Sequence, residues 1–382
     1  MKRFAIASIS LVVLCTLALV TLLFTPGCSK KSEPKEIKIG AILILTGSDA
    51  KAGQSAKQGI DMAVKEVNGK GGINKKKVRI IFEDDQGEPE KAVTAVRKLI
   101  NVDKVSAIIG PMWSSSVLAV SPIVEKEHVV ILSPTASSPK ITQAGDFVFR
   151  NTYSDILEGA KAAQYAYNNL KYKSAALIFI NNDYGLGLKD AFKEKFLKLG
   201  GQIIDEESYD PKSTDFRTQL VKINKLNPEV IYLVGYSEMG KVLVQAKELG
   251  ISIPFMSCIM FGIGDVIAVA GEAAEGVTYT YPSYDPEHRD KVTQEFGKQY
   301  KEKYGTLPDP EAAFAYDATN ILFFAMTKGG LDSNSIKNAL YQIKDYNGVT
   351  GLTGFNADGD VIKPIGFKKI VNGKPVWVVF TF

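Results

Sequence analysis

The sequence predicts an α/β protein built from two doubly wound, Rossmann-like lobes. Short runs rich in Val, Ile and Leu alternate with longer helical patterns, which is typical of parallel strands buried on both faces. The alternation occurs once between residues 37 and 133 and again between residues 156 and 258. The chain has 382 residues, and those that follow an apolar leader are too many for one ordinary hydrophobic core.

The first half begins with three strand–helix pairs and a fourth strand. Each predicted strand is a near-continuous apolar run, and each predicted helix has apolar residues at helical spacing. The predicted strands are 37–45, 77–84, 105–110 and 129–133. The predicted helices are 55–68, 89–101 and 115–125, of which the second opens on a proline.

The same plan then repeats, although no residue-level repeat is visible. The predicted helices of this half are 156–170, 186–200, 215–226 and 238–250. The predicted strands are 174–180, 201–209, 230–236 and 254–258. The tail differs, with predicted helices at 287–303, 311–328 and 333–344. A glycine-rich and β-rich segment follows, in which "NADGD" and "VNGK" carry hairpin-turn signals.

A basic and then apolar leader opens the chain. Two basic residues precede an apolar run at 4–24, which is long for a signal peptide and just long enough for a membrane span. Gly27 followed by Cys28 resembles a bacterial lipoprotein cleavage site. We expect residues 1–27 to be a signal peptide and residues 28–36 to be a lipidated cysteine and a polar tether. An uncleaved anchor and ordinary secretion are the alternatives, and all three export the chain.

Composition argues against several classes of protein. The net charge is +4 and the basic residues are interspersed with acids, so we expect no nucleic-acid partner. The two histidines, His128 and His288, are too few for a His-rich zinc site and lie in segments that suggest structural roles. Cys258 in "FMSCIMF" is the only cysteine in the predicted folded part of the chain, and its neighbours predict a buried structural thiol. We therefore expect a protein that is not an enzyme, with no cofactor and no metal.

Small, hydroxylated and glycine-rich loops follow the predicted strands at the edge where open α/β sheets bind ligands. These loops are 46–53, 110–116, 133–139, 181–187 and 235–240. Several of them lead directly into helices, whose N-termini carry about half a positive charge and unpaired N–H donors. The sequence therefore predicts a ligand site at this edge.

Two of these loops predict a neutral site for a carboxylate. Ser114 in "GPMWSSS" and Ser137 in "SPTASSP" each add a hydroxyl beside a helix N-terminus, so dipoles rather than Lys or Arg would hold the charge. The alternative is that the serines only cap helices and face solvent. Tyr184 and Tyr236 lie just past strands of the second lobe, at the same edge, and are candidate ligand contacts, with surface aromatics as the alternative.

An ordered set of segments carries a family resemblance. It includes "IKIGAILILTG", "IIGPMWSSSVLAVSPI", "ILSPTASSPKIT", "FVFRNTYSD", "YGLGLKDAF", "GYSEMGKVLVQAKELG" and "AFAYDATNIL". Together they resemble the leucine/isoleucine/valine-binding branch of the type I periplasmic binding proteins, the solute receptors of ABC importers. The resemblance implies two lobes, joined by three crossovers, that close on the ligand like a clamp. It implies residues 37–154 plus 284–345 as lobe 1, and residues 155–283 plus 346–382 as lobe 2.

The resemblance also assigns ligand contacts. It implies that Ser114 and Ser137 grip the ligand carboxylate. Main chain near Thr135 and Ala136 would help them, and the two tyrosines named above would close from the other lobe.

Two positions depart from the family pattern. Amino-acid receptors of this branch commonly have an acid shortly after "FM" to pair with the ligand ammonium, and this chain has Ile259 there. Many also have an aromatic in the first loop, where this chain has Ala52, and Trp113 could fill the resulting space. Other acids could pair with the ligand ammonium in place of the family's acid, namely Asp183, Glu238 and Asp265.

Together these features predict an exported solute-binding lipoprotein of an ABC importer. We expect a monomer at the periplasm or cell surface, anchored by lipidated Cys28 and delivering a small carboxylate ligand to permease subunits. A branched-chain or related amino acid is the first expectation for the ligand. The alternatives are an aliphatic or aromatic acid without an ammonium, and a ligand sensor that does not transport.

Overall fold

Two large sheets, each flanked by helices, form the part of the chain that the computed structural model describes, which is residues 36–263, 265–287, 290–361 and 363–379. The predicted signal peptide and Cys28 lie outside the described residues. Within them, no helix combines the length and the apolar character that crossing a bilayer requires.

The first sheet has five parallel strands in the order β2-β1-β3-β4-β5. They are β1 (Glu36–Leu43), β2 (Lys77–Asp84), β3 (Ala107–Ile109), β4 (Val130–Ser133) and β5 (Val148–Arg150). Helices connect the first four strands, namely α1 (Ala50–Gly69), α2 (Pro89–Lys98) and α3 (Ser114–Glu127). The predicted strands and helices of this half are therefore confirmed, and β5 is an additional strand that the pattern did not predict.

The second sheet has seven strands in the order β14-β13-β10-β9-β8-β6-β7. Its parallel strands are β6 (Ser174–Ile180), β7 (Gln202–Tyr209), β8 (Val230–Val234), β9 (Phe255–Ser257) and β10 (Thr278–Pro282). The helices of this half are α4 (Asp155–Asn168), α5 (Asp183–Lys198), α6 (Arg217–Leu226), α7 (Met239–Glu248) and α8 (Val266–Ala270). The repeated α/β plan is thus confirmed in the second half.

Two antiparallel strands, β13 (Ile365–Val371) and β14 (Lys374–Val379), complete this sheet. Asn372 and Gly373 form the two-residue turn between them, with φ angles of 52° and 70°. A turn of this kind needs positive φ at both central residues, which is why Asn-Gly favours it. The hairpin that "VNGK" predicted is therefore confirmed.

The tail adds three helices, α9 (Lys291–Tyr304), α10 (Pro310–Gly329) and α11 (Ser333–Gln342), and a short hairpin of β11 (Tyr346–Gly348) and β12 (Gly351–Thr353). Helix α10 returns to the first half and packs closely on α1. Gly59 in α1 allows this approach, because a Cβ there would lie 2.1 Å from the carbonyl oxygen of Ala312.

The strands segregate as a two-lobed α/β fold requires. The first sheet uses only strands that end by Arg150, and the second uses only strands that begin at Ser174 or later. The predicted lobe boundaries stay a prediction, because the chain from Glu36 onward forms a single unit by its internal contacts.

Candidate functional site

One cavity brings together the loops that follow the strands of both sheets. Its walls include all eight residues that the sequence predicted as ligand contacts, namely Trp113, Ser114, Thr135, Ala136, Ser137, Tyr184, Tyr236 and Ile259. The remaining lining residues are Met112, Thr152, Tyr153, Glu158, Met260, Ile263, Glu311 and Phe314. The cavity measures about 20 Å³, which is room for about one water molecule.

Ser114 is the first residue of α3 and is buried. Its hydroxyl oxygen accepts hydrogen bonds from the backbone N–H groups of Ser137, at 3.3 Å, and Ser138, at 3.1 Å. Both lone pairs of the oxygen are then engaged, which leaves the hydroxyl hydrogen to donate elsewhere. The helix begins without a side-chain cap, so the alternative that this serine caps its own helix is wrong.

Arg150 holds the second serine loop from behind. Its side chain is fully buried, and one guanidinium nitrogen donates to the carbonyl oxygens of Ser137, at 3.0 Å, and Ser138, at 2.9 Å. Its Nε donates to Asp360 at 2.6 Å. Sequence reasoning gave Arg150 no role, although it lies in the quoted segment "FVFRNTYSD".

Thr135 is tied to the loop before α3, because its hydroxyl donates to the carbonyl oxygen of Met112 at 3.0 Å. The two serine loops are therefore fixed to each other at several points. Their main-chain and hydroxyl groups form a neutral, preorganised wall beside the N-terminus of α3.

Three stacked aromatic rings form another wall. The rings of Trp113 and Tyr236 lie 4.5 Å apart and nearly parallel, and the ring of Tyr184 stacks on the far side of Tyr236 at 5.2 Å. Trp113 immediately precedes α3 in the first half, whereas Tyr184 and Tyr236 belong to the second half. That Trp113 fills the space beside Ala52 stays a prediction. The stack joins the two halves across the cavity.

Two acids that sequence reasoning missed also line the cavity. Glu158 lies in the first turn of α4 and Glu311 in the first turn of α10, and both are buried. Acids in a first helical turn usually lie at the surface, where they interact favourably with the helix dipole. The sequence therefore gave no sign that these two acids are buried. Among the described residues that line the cavity, none is Lys, Arg or His.

Glu158 has one satisfied oxygen and one without a partner. Its Oε1 accepts hydrogen bonds from the backbone N–H of Ile259, at 2.8 Å, and from the hydroxyl of Thr280. Its Oε2 is buried and has no hydrogen-bond partner among the described residues. Burial raises the pKa of Glu158 to about 7, although the hydrogen bonds from Thr280 and Ile259 act in the opposite direction.

Glu311 resembles Glu158 in having an unpartnered carboxyl oxygen and a raised pKa. Its Oε2 is also buried without a partner in the described part of the chain. Burial, together with the neighbouring carboxyl of Asp309, raises the pKa of Glu311 well above its ordinary value.

The three acids named from the sequence as substitutes for the missing family acid do not line this cavity. Asp183 accepts hydrogen bonds from Ser115 and Lys140, and Asp265 pairs with Lys51. Glu238 accepts hydrogen bonds from the hydroxyl of Tyr209 and the backbone N–H of Tyr236. The suggestion that one of these acids faces the ligand is therefore wrong for this structure.

Comparison with known proteins identifies relatives over almost the whole described chain. The sequence pattern of the family described as periplasmic binding protein matches residues 36–374. The Leu/Ile/Val-binding protein of Escherichia coli strain K12 is 30% identical over 291 residues, which cover 75% of this chain and 77% of that protein.

Solved structures give the same result. The crystal structure of a leucine binding protein from Thermotoga maritima superposes with a TM-score of 0.85 at 31% identity, covering 89% of this chain and 97% of the other. A branched-chain amino acid transporter substrate binding protein from Streptococcus pneumoniae, crystallised with isoleucine, gives a TM-score of 0.83 at 30% identity with the same coverage. With its two-lobed α/β fold, the chain belongs to the leucine/isoleucine/valine-binding branch of the periplasmic binding protein family.

Proposed function

We propose that this protein is an exported solute-binding lipoprotein of an ABC importer, and that it binds a small carboxylate-bearing solute in the cavity. A branched-chain or related amino acid is the default ligand. The observation that supports this proposal most is the convergence of all eight predicted contact residues on one enclosed space.

The serine wall suits a carboxylate. Ser114 has a free hydroxyl hydrogen, and α3, a helix of 14 residues, directs its N-terminus to the same place. A helix N-terminus attracts anions through its dipole and its unpaired N–H groups. Arg150 adds a buried positive charge behind the loop without entering the cavity lining.

A second candidate is a receptor for an organic acid without an ammonium. Ile259 favours it, because an apolar side chain lines the cavity where the family commonly has an acid. In both cases the chain would pass its ligand to the membrane subunits of an ABC permease. The leader and the family membership support export, the lipid anchor at Cys28 and a monomeric receptor.

A thermal-shift panel tests the proposal. It contains leucine, isoleucine, valine, threonine, alanine and phenylalanine, together with 4-methylpentanoate and benzoate as acids that lack the ammonium. A ligand present at 100 times its Kd adds about 2.7 kcal/mol to the free energy of unfolding. We expect at least one panel member to raise the melting temperature in a saturable way. If none does so, the assignment of this cavity to small carboxylates is contradicted.

A further inference from the structure

We propose that Glu158 and Glu311 form a subsite for a primary ammonium group, so that the ligand is a zwitterionic amino acid rather than a simple carboxylate. This inference rests on the proposed function and narrows its ligand class. It assigns the ammonium to helices α4 and α10 instead of the segment after "FM", where the family commonly has an acid.

The unpaired oxygens carry the inference. Glu158 Oε2 and Glu311 Oε2 are both buried, both lack partners among the described residues, and both belong to side chains that line the cavity. Buried polar atoms are nearly always hydrogen-bonded, so two unpartnered oxygens on side chains that line one small cavity indicate a missing donor. An ammonium has three N–H donors and can serve both oxygens.

The backbone at Ile259 explains how Glu158 replaces the family acid. The N–H of Ile259 donates to Glu158 Oε1, so the carboxyl group of Glu158 contacts the residue that this chain has where the family commonly has an acid. The hydroxyl of Thr280 donates to the same oxygen, which fixes the orientation of the group. The second oxygen is thereby left for the ligand.

The charged groups that line the cavity also favour a ligand with an ammonium. The lining contains two carboxyl groups and, among the described residues, no base. A ligand with only a carboxylate would bring a third acid into this space, and Arg150 behind the serine loop is already paired with Asp360. Burying an ionised carboxylate is costly unless it is paired, whereas an ammonium would pair with it. The lining therefore favours a ligand whose carboxylate meets the serines while its ammonium meets the two glutamates.

Proton release follows from this arrangement. Other titratable groups lie near Glu158 on the elements that pack around it. They are Tyr153, Asp155, Tyr184, Tyr232, Cys258 and Glu311. Burial raises the pKa of each of these groups. For Glu158 this raised pKa is about 7. An incoming ammonium favours its ionised form, so binding should release a proton, and affinity should fall as the pH drops below about 7.

Titration calorimetry tests the subsite with L-leucine and its deaminated analogue 4-methylpentanoate. If another amino acid of the panel binds better, that amino acid and its own deaminated analogue are used instead. The variants are Glu158→Gln and Glu311→Gln, which keep the side-chain shape. Glu125→Gln is the matched control, because Glu125 is a partly buried acid that bonds the N–H of Phe147 outside the cavity. We expect Glu158→Gln to lose at least tenfold in affinity for leucine, with no loss for 4-methylpentanoate, and to abolish proton release.

Each outcome separates the two proposals. If the wild type binds leucine and both glutamine variants keep its affinity and proton release, the ammonium subsite is wrong and the solute-binding function stands. If the wild type binds organic acids but no amino acid, the subsite is again wrong. If it binds nothing in the panel, the proposed function itself fails. Melting temperatures of the variants confirm that each has folded, and Glu311→Gln provides an independent test should Glu158→Gln not fold.

Discussion

Ser114 is the residue on which the carboxylate site depends most. Its oxygen receives two backbone N–H groups and its hydrogen is left for a ligand. A hydroxyl that donates to a carboxylate makes a charge-assisted bond, worth about 1.5–3 kcal/mol. The serine therefore acts twice, as a link between two loops and as a donor.

Replacing this serine should weaken both binding and folding. We expect Ser114→Ala to reduce affinity by about tenfold to over a hundredfold, at about 1.4 kcal/mol per factor of ten. It should also cost about 1–3 kcal/mol in the free energy of unfolding, because two buried N–H groups lose their acceptor. Ser121→Ala is the matched control, since Ser121 is buried in the same helix and bonds only the carbonyl of Val117. Equal affinities of Ser114→Ala and wild type, measured by calorimetry, would contradict the assigned role.

The pKa of Glu158 gives a prediction that needs no ligand. Its folded value of about 7 is above the ordinary 4.5, so the folded protein binds the proton more tightly than the unfolded chain. Stability from this group is therefore complete below pH 4.5 and is lost as the pH rises to about 7, by as much as about 3 kcal/mol. Urea unfolding between pH 4.5 and 7.5 should show a smaller decline for Glu158→Gln than for the wild type. Parallel curves would contradict the raised pKa.

The sequence predicted the serines and tyrosines of the site but not its two glutamates. Serines and tyrosines after strands were visible because the carboxyl ends of strands meet at one edge. Glu158 and Glu311 were not, because whether a first-turn acid is buried depends on which helix packs over it, and that is set by tertiary structure. Cys258 was predicted as a buried thiol, which is confirmed, and burial raises its pKa to about 11.

At the scale of the elements, the packing of α10 against α1 joins the C-terminal helices to the first half. The close approach depends on Gly59, since any side chain there would meet the backbone of Ala312. Gly69 ends the same helix, and an added Cβ would meet nothing within 4 Å. The two glycines thus offer the same substitution in crowded and open surroundings.

Substituting alanine at these glycines should have opposite effects. Gly59→Ala forces the helices apart, and overpacking of this kind costs about 1–3 kcal/mol. Gly69→Ala should be neutral or stabilise by up to about 1 kcal/mol, because alanine loses less backbone entropy in a helix. Urea unfolding of both variants measures the difference. A Gly59→Ala protein as stable as Gly69→Ala would show that α1 and α10 do not touch here.

Element prediction failed where the pattern was short or misleading. Strand β5 (Val148–Arg150) has three residues, too few to show a period of two or an apolar run. Helix α3 continues to Glu127 although Pro122 lies inside it. The helices at 55–68, 186–200 and 311–328 were predicted well because they are long and amphipathic or apolar over several turns.

At the scale of the whole molecule, the cavity is closed by contacts between the two halves. The Trp113–Tyr236 stack and the Lys51–Asp265 ion pair both join them. The cavity is small, at about 20 Å³, and we expect the halves or the rings to separate when a ligand enters and then to close again. The sequence could predict the two halves from their repeated pattern, but not how tightly they close.

Tryptophan emission should report this motion. The chain has two tryptophans, and Trp377→Phe leaves Trp113 as the only one. We expect the best panel ligand to change the emission of this variant in a saturable way, because Trp113 lines the cavity and stacks on Tyr236. Binding confirmed by calorimetry without any change in emission would mean that the ligand lies elsewhere.

The most direct test of the carboxylate site is a crystal structure grown with the ligand that raises the melting temperature most. We predict that the ligand carboxylate lies within about 2.5–3.2 Å of Ser114 Oγ and of backbone N–H groups at the N-terminus of α3. The rest of the ligand should lie among Trp113, Tyr184 and Tyr236. A ligand bound outside this cavity, or one whose carboxylate faces away from both serines, would contradict the account.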